Sequence, residues 1–534
     1  MQDGGSADVI TIDPVHRLLT EVERDEWGRV SASVYETARL VALAPALPGH
    51  RARVDYLLRT QARDGSWGAP DGYALVPTLS ATAALLGYPP RGLPDGTPLV
   101  AAAQAGLSAL RRLLPADGSA SPPDTIAVEM IVPALVGDIN DRLRDLPARA
   151  AAPLRPPEGM EGRPLERLRA AVAAGRPVPG TAAASLEVLG PAGARAGFAV
   201  PVGGVVGCSA AATAAWLGRD WDSREPAGHF LHRLQEAGGG PVPGVTPITY
   251  FEPAWVLNSL AAAGLPYPTP DALLDRLAAG LTGSGAPAAP GLPPDADDTA
   301  GVLCALMRHG RQADPDPLLA FQADGHFVCF PAERTPSTSA NAHVLEALAG
   351  HVRRYPGRAG RYARQIAMVT GWLVGRQDDD GRWTDKWHAS PYYATVRAVA
   401  ALRAAGGAHA DAAVAAAVRW VRETQRADGS WGRFTGSIEE TAYALHVLMH
   451  GGAPVTGAVS RGAVFLATRD DPDRYPALWH AKDLYAPVRV VQAARLAALH
   501  LAGPHLVPAQ RSGSSTISTG PRGRSAAEGP GRIG

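Results

Sequence analysis

Apolar residues recur three and four positions apart along most of the chain, whereas the strict alternation of a half-buried strand is scarce. Ala410–Glu423, Glu439–His450 and Val488–Leu501 show the pattern plainly, and they are rich in Ala, Leu and Arg, the residues that lose least on entering a helix. The periodicity predicts helix after helix. Between helices a short phrase returns: Q-A-R-D-G-S-W-G from Gln61 to Gly68, Q-D-D-D-G-R-W from Gln377 to Trp383, and Q-R-A-D-G-S-W-G from Gln425 to Gly432. A looser relative, Q-A-D-G-H-F, runs from Gln322 to Phe327. The Asp-Gly step ends a helix by allowing a left-handed residue, and the Trp supplies a large apolar plug that can stack on the Gln amide. Such self-similarity predicts helix pairs stacked as repeats, because no single pair buries its own apolar face.

The copies are unevenly spaced, one near residue 61 and the rest beyond 320, and the chain of 534 residues is too long for one ordinary core. Two domains are expected. A Pro/Gly-rich stretch, Gly280–Pro294, reads as a boundary, and a second boundary is expected near Ala44–His50. Beyond residue 505 the chain turns to Ser, Gly, Arg and Pro, a composition that predicts a disordered tail over 506–534.

Charge and cysteine content narrow the partners. Lys plus Arg equals Asp plus Glu at 51 each, without blocks of one sign, so no nucleic-acid partner is expected. Cys208, Cys304 and Cys329 are odd in number and far apart, which fits neither a zinc site nor a disulfide framework and suits the cytoplasm. The N-terminus does not read as a secretion signal, and no apolar run of about 18 residues predicts a transmembrane segment.

The candidate chemistry begins at Asp295-Ala296-Asp297-Asp298, directly ahead of an apolar helix. One carboxylate is explained as an N-cap, where Asp accepts amide hydrogen bonds at the positive helix end. Three in four residues are not. Crowded carboxylates in a poorly hydrated site cannot all ionise, so one is held as a proton donor. On spacing alone an exposed acidic loop or a cation site remains open.

D-x-D-D before an apolar helix, combined with Q-x-x-D-G-x-W repeats, resembles the class II terpene cyclases, and over residues 30–500 most closely the bacterial class II diterpene cyclases. The resemblance implies two all-α barrel domains, called β and γ: residues 1–48 and 276–505 forming β, with γ inserted as residues 49–275. It implies Asp297 as the acid that protonates a terminal alkene, with Asp295 and Asp298 holding and recharging it. Within the segment from Phe330 to Leu348, Asn341 is implied as the hydrogen-bond partner of Asp297; squalene-type cyclases use a His there, so an Asn favours the prenyl-diphosphate branch. Asn341 as a helix cap is the rival reading.

Two further similar segments, around Asp385–Thr395 and Leu478–Tyr485, contain Lys386 and Lys482, candidates to balance a diphosphate, against a plain solvated role. Asp124 and Glu129, in another similar stretch, could offer oxygens to Mg²⁺ while substrate phosphates and water supply the rest; helix-dipole compensation by Asp124 is the alternative. Trp255, Phe330, Trp387, Tyr392 and Trp479 are candidates to line the cavity with π faces that stabilise carbocations, although most aromatics in helical repeats fill core. His388 and His480 are candidates for diphosphate binding or final deprotonation.

No intact D-D-x-x-D cluster of the class I enzymes occurs, so the diphosphate is expected to survive into the product and pass to a downstream class I terpene synthase. The expected substrate is geranylgeranyl diphosphate, giving a labdane-type (copalyl or related) diphosphate. Farnesyl diphosphate giving a drimane-type product is the alternative, and a non-catalytic toroid that binds a prenyl ligand is the alternative of another class.

Overall fold

The protein, as a computed structural model, is described here over residues 12–88, 97–144, 152–218, 222–331, 333–450 and 456–503. The expected disordered tail, 506–534, lies outside the described residues. The helices in chain order are α1 (Ile12–Arg24), α2 (Val34–Leu43), α3 (His50–Thr60), α4 (Leu75–Gly87), α5 (Pro98–Leu113), α6 (Val128–Arg144), α7 (Arg163–Ala173), α8 (Ala210–Leu217) and α9 (Pro226–Gly238). They continue with α10 (Phe251–Ala262), α11 (Asp271–Gly280), α12 (Ala296–Arg308), α13 (Thr338–Arg354), α14 (Ala359–Gly375) and α15 (Pro391–Ala405). The last are α16 (Ala408–Glu423), α17 (Ile438–His450), α18 (Thr456–Thr468) and α19 (Val488–Ala502). Strands β1 (Trp479–His480) and β2 (Leu484–Tyr485) form a short antiparallel hairpin.

Helix contacts sort these elements into two closed rings. In one, α2, α4, α6, a 3-10 stretch (Gly180–Gly193) and α8 pack in turn and return to α2, with α3, α5, α7 and α9 outside. In the other, α10, α12, α13, α15, α17 and α19 close on themselves, backed by α1, α11, α14, α16 and α18. The inner helices of the second ring run the same way, because each returning connection or outer helix brings the chain back to the same end. Each ring encloses its own buried apolar cluster.

The rings place the domain boundaries away from residues 49 and 275. Helix α2 belongs with α4 and α8, so the first ring starts near Ser33; α10 packs on α12 and α19, so the second resumes by Phe251. The Pro/Gly-rich stretch Gly280–Pro294 is therefore a connection inside the second ring. It looked like a boundary because Pro and Gly mark any tight connection, within a domain or between two.

The repeated phrase is a clamp. In each copy the Gln amide donates to the Gly carbonyl of its own turn and to a carbonyl of the following outer helix: Gln61 to Gly65 (2.9 Å) and Ala102 (2.9 Å), Gln377 to Gly381 (2.8 Å) and Ala413 (2.8 Å), Gln425 to Gly429 (3.0 Å) and Ala458 (2.9 Å). The Trp indole donates back to the preceding helix, Trp67 to Leu57 O (2.8 Å), Trp383 to Leu373 O (2.7 Å) and Trp431 to Val421 O (2.7 Å). Its backbone N–H bonds a threonine in the first turns of the next inner helix: Thr78, Thr395 or Thr441. Gly381 (φ +98°) and Gly429 (φ +85°) are required twice over, since a Cβ there would lie 2.6 and 2.7 Å from the carbonyl oxygens of Ala416 and Arg461.

The same clamp, without its Trp, sits before the acidic motif. Ala286 N donates to Thr299 Oγ1 (2.9 Å), and Thr299 is the fourth residue of α12. Asp295, Asp297 and Asp298 thus occupy the N-terminal end of an inner helix, held by ordinary repeat geometry.

Candidate active site

Where the two rings meet, a cavity of about 360 Å³ opens at the N-terminal ends of the second ring's inner helices. The first ring contributes the segment from Asp124 to Glu129 together with Thr181 and Ala184, and the second contributes Asp295, Asp297 and Asp298. Trp479, His480, Ala481 and Tyr485 reach the cavity from the hairpin, which also ties the rings together.

Asp295 is the N-cap of α12, its Oδ1 accepting from Asp298 N (2.8 Å). Burial raises the Asp295 carboxyl to about 7, even against its hydrogen bonds from Asp298. Burial and then the neighbouring Asp295 push Asp298 well above the usual carboxylate range. These two form a buried acid pair that holds a proton. Asp297 differs: its Oδ1 lies 2.6 Å from His343 Nδ1, and its side chain keeps 16% exposure toward the cavity.

The partner of Asp297 is therefore His343 and not Asn341. Asn341 is the fourth residue of α13; its Oδ1 accepts from Phe327 N (2.8 Å), and its Nδ2 donates to the carbonyls of Phe327 (2.8 Å) and Ser337 (2.8 Å). It does for the Q-A-D-G-H-F turn what Thr78, Thr395 and Thr441 do for the other three. A helix turns about 200° in two residues, so His343 points to Asp297 when Asn341 points to the turn. The supposed departure from squalene-type cyclases disappears with this correction.

Lys386 lines the cavity, its Nζ 3.0 Å from Glu333 Oε1, 3.8 Å from Asp124 Oδ2 and 4.7 Å from the Trp387 ring centre. Arg334, which sequence reasoning passed over, pairs with Asp124 and stands 3.6 Å from Glu129 Oε2. Burial pushes the Asp124 carboxyl up, but Arg334, Thr335 and Lys386 outweigh it and hold it below the ordinary range. Lys482 does not line this cavity. It is buried 2.8 Å from Glu36 Oε1, 2.7 Å from Glu187 Oε1 and 2.8 Å from Ser209 Oγ, where it joins the hairpin to the first ring. Three partners leave its ammonium no donor for a substrate, so it is a strut and not a diphosphate ligand.

Asp124 and Glu129 both face the cavity, and Asp124 Oδ2 is buried without a hydrogen bond. Among the described residues no group of three or more His, Cys, Asp or Glu side chains forms a metal cage. The donor set fits Mg²⁺ only in the manner that suits this ion, with one or two carboxylates and the remaining positions taken by phosphate oxygens and water.

Phe330, Trp387 and Trp479 line the cavity as expected, joined by Phe251 and Tyr485. Trp255 stands one layer behind, against Phe251 (ring centres 4.4 Å) and edge-on to His343 (5.2 Å), with its indole donating to Tyr393 (2.9 Å). Tyr392 turns away and packs on Trp420 (4.6 Å) in the core between α15 and α16, so it is no cavity residue; adjacent residues on a helix face different sides. Below the cavity, Glu439 Oε1 accepts from Trp479 Nε1 (2.7 Å) and Tyr443 OH (3.0 Å) and meets His388 Nε2 (3.2 Å), fixing the Trp479 ring. His388 thus belongs to a buried network, whereas His480 lines the cavity, and burial pushes its imidazole down to about 4.

A proton-loaded carboxyl pair, a carboxyl presented to an apolar cavity by an imidazole, aromatic walls and two helical rings together describe a cyclase that starts by protonation. Residues 333–483 match the squalene-hopene cyclase C-terminal domain family. The chain is 45% identical over 488 residues to the ent-copalyl diphosphate synthase of Streptomyces sp. strain KO-3988, covering 90% of this chain and 94% of that one. It is 40% identical over 531 residues to the labda-7,13-dienyl diphosphate synthase of Streptomyces clavuligerus, covering 94% and 96%. The solved ent-copalyl diphosphate synthase from Streptomyces platensis superposes with a TM-score of 0.86 at 50% identity, over 92% of this chain and 99% of that one. The chain belongs to the bacterial class II diterpene cyclases, enzymes of the all-α double-barrel fold.

Proposed function

We propose that the protein cyclises geranylgeranyl diphosphate to a bicyclic labdane-type diphosphate of the copalyl kind and leaves the diphosphate in place. The observation that carries the reading is the Asp297–His343 pair facing an apolar cavity whose lining also holds Lys386 and Arg334. The substrate's C20 length rests on its relatives, named as copalyl and labda-7,13-dienyl diphosphate synthases.

The protonated Asp297 gives its proton to the terminal alkene, whose π pair forms the new C–H bond. Each cation so formed takes the π pair of the next alkene as a new C–C bond, until loss of a proton from carbon yields a neutral isomer of the substrate. His343 Nδ1–H donates to the Asp297 carboxylate left behind, a hydrogen bond that strengthens as charge develops. The buried Asp295/Asp298 pair is placed to return a proton. Phe251, Phe330, Trp387, Trp479 and Tyr485 offer π faces to the cations and exclude water until the last step.

Lys386 and Arg334 receive the diphosphate by exchanging their carboxylate partners for its oxygens. Mg²⁺ held by Asp124 and Glu129 would supply further charge neutralisation there. An intact allylic diphosphate in the product calls for a downstream class I synthase. The three buried free cysteines support a cytoplasmic site of action; among the described residues no helix is long and apolar enough to cross a membrane.

Incubation with geranylgeranyl diphosphate and Mg²⁺, followed by dephosphorylation and product analysis, tests the reading. A bicyclic product that disappears in Asp297→Ala supports it. Binding without turnover would leave a prenyl-binding toroid, release of inorganic diphosphate would contradict the class, and turnover confined to farnesyl diphosphate would replace the substrate.

A further inference from the structure

Helices α12 and α13 each join two places. Asp297 lies in the first turn of α12 and His343 in the second turn of α13; Arg308 and Arg353 lie in their last turns, at the far end of the second ring. A second cavity of about 250 Å³ opens there, faced by four arginines, Arg308, Arg353, Arg397 and Arg403, and by one carboxylate, Glu346. An adjoining hollow shares Arg308, Glu346 and Arg353.

The four cations are not equally satisfied. Arg308 pairs with Glu346 and donates to Asn258 O (3.0 Å); Arg403 donates to His450 O (3.1 Å) and pairs with Asp411 (2.9 Å). Arg397 Nε is buried without a hydrogen bond, and among the described residues neither Arg397 nor Arg353 has a carboxylate within ion-pair distance. Burial works against ionised Glu346, yet Arg308 and Arg397 hold its carboxyl below the ordinary range, so this one charge is already shared.

The imidazoles add no negative charge. Burial, His450 and Arg397 push His446 down to about 3, and burial with Arg397 lowers His450. Both present neutral rings to the cavity. Helix C-terminal dipoles offset charges in the last turn, which accounts for Arg308, Arg353 and Arg403. Arg397 lies two turns before the end of α15, out of that range.

We infer that this cavity is an anion site for an inorganic phosphate group, phosphate or diphosphate, clasped between the guanidinium forks of Arg353 and Arg397. Guanidinium forks match phosphate oxygens in bidentate geometry; half-buried Arg397, with no carboxylate partner, gains one when the anion arrives, and exposed Arg353 closes on it from the solvent side. Bound there, the anion ties the last turn of α13 to the middle of α15, remote from the alkene-protonating end. The inference stands whatever prenyl substrate the other cavity takes.

The test is thermal unfolding of the full chain titrated with phosphate, diphosphate and, at matched ionic strength, chloride. Wild type and Lys386→Gln should both show a saturable rise in Tm with the phosphate ligands and none with chloride. In Arg353→Gln the apparent Kd should weaken by about tenfold or more. On the Lys386→Gln background, which removes the diphosphate anchor of the other cavity, Arg397→Gln should abolish the saturable rise. A saturable rise that survives Arg353→Gln unchanged, or vanishes in Lys386→Gln, or is reproduced by chloride, overturns the site.

Discussion

Asn341 and His343 stand two residues apart on one helix and do different work. Replacing His343 by Gln, which keeps most of the buried volume, loosens the hydrogen bond to the carboxylate that forms as Asp297 gives up its proton, so kcat should fall about 10²-fold with a small change in Tm. Asn341→Ala should do the reverse: it leaves Phe327 N and O unpaired in a buried turn, costing ~1–3 kcal/mol of stability while turnover per folded molecule persists. Steady-state kinetics beside thermal denaturation separate the two. At Asp295 the folded carboxyl is raised to about 7, above the unfolded value of about 4. Its contribution to stability is present in full below about pH 4 and is lost as pH rises through about 7. Asp295→Asn, which retains the cap, should flatten the fall in Tm across that window, and the wild-type activity should decline as pH rises through about 7.

At the scale of the element, the helix periodicity of Ala410–Glu423, Glu439–His450 and Val488–Leu501 foretold α16, α17 and α19 to within a few residues, because amphipathic spacing acts locally. The repeated turns were legible for the same reason. Their hydrogen bonding was not, since the Trp indole and Gln amide find carbonyls on helices set by packing. Trp431→Ala empties a fully buried site and orphans Val421 O, so a loss of ~3–5 kcal/mol is expected in chemical denaturation. A loss within 1 kcal/mol would contradict the clamp.

At the scale of the whole molecule the hairpin decides how the rings meet. Asp483 accepts from Ser33 Oγ (2.7 Å) and Tyr35 N (2.9 Å) at the start of α2, and Lys482 sits between Glu36 and Glu187. Lys482→Met leaves two buried carboxylates unpaired and should cost ~3–5 kcal/mol, read as a lower and less cooperative thermal transition. Were Lys482 a diphosphate ligand instead, the variant would raise KM at unchanged Tm.

The sequence by itself determined the helices, the repeated turns and the carboxylate cluster that opens α12, because periodicity, Asp-Gly steps and acidic residues at a helix start are local features; Asp297 was singled out within that cluster by the family resemblance. It also brought Asp124, Glu129, Lys386 and three of five named aromatics to the cavity, through segments that the family resemblance marked. Only the tertiary structure decided which side chain meets which. His343 and Asn341 trade roles through helical phase, Tyr392 turns to the core, and Lys482 is taken up by carboxylates from helices hundreds of residues away. Arg334 and Glu439 became visible only once the rings closed, because the angle of a side chain around its helix has meaning only when the neighbouring helix is in place.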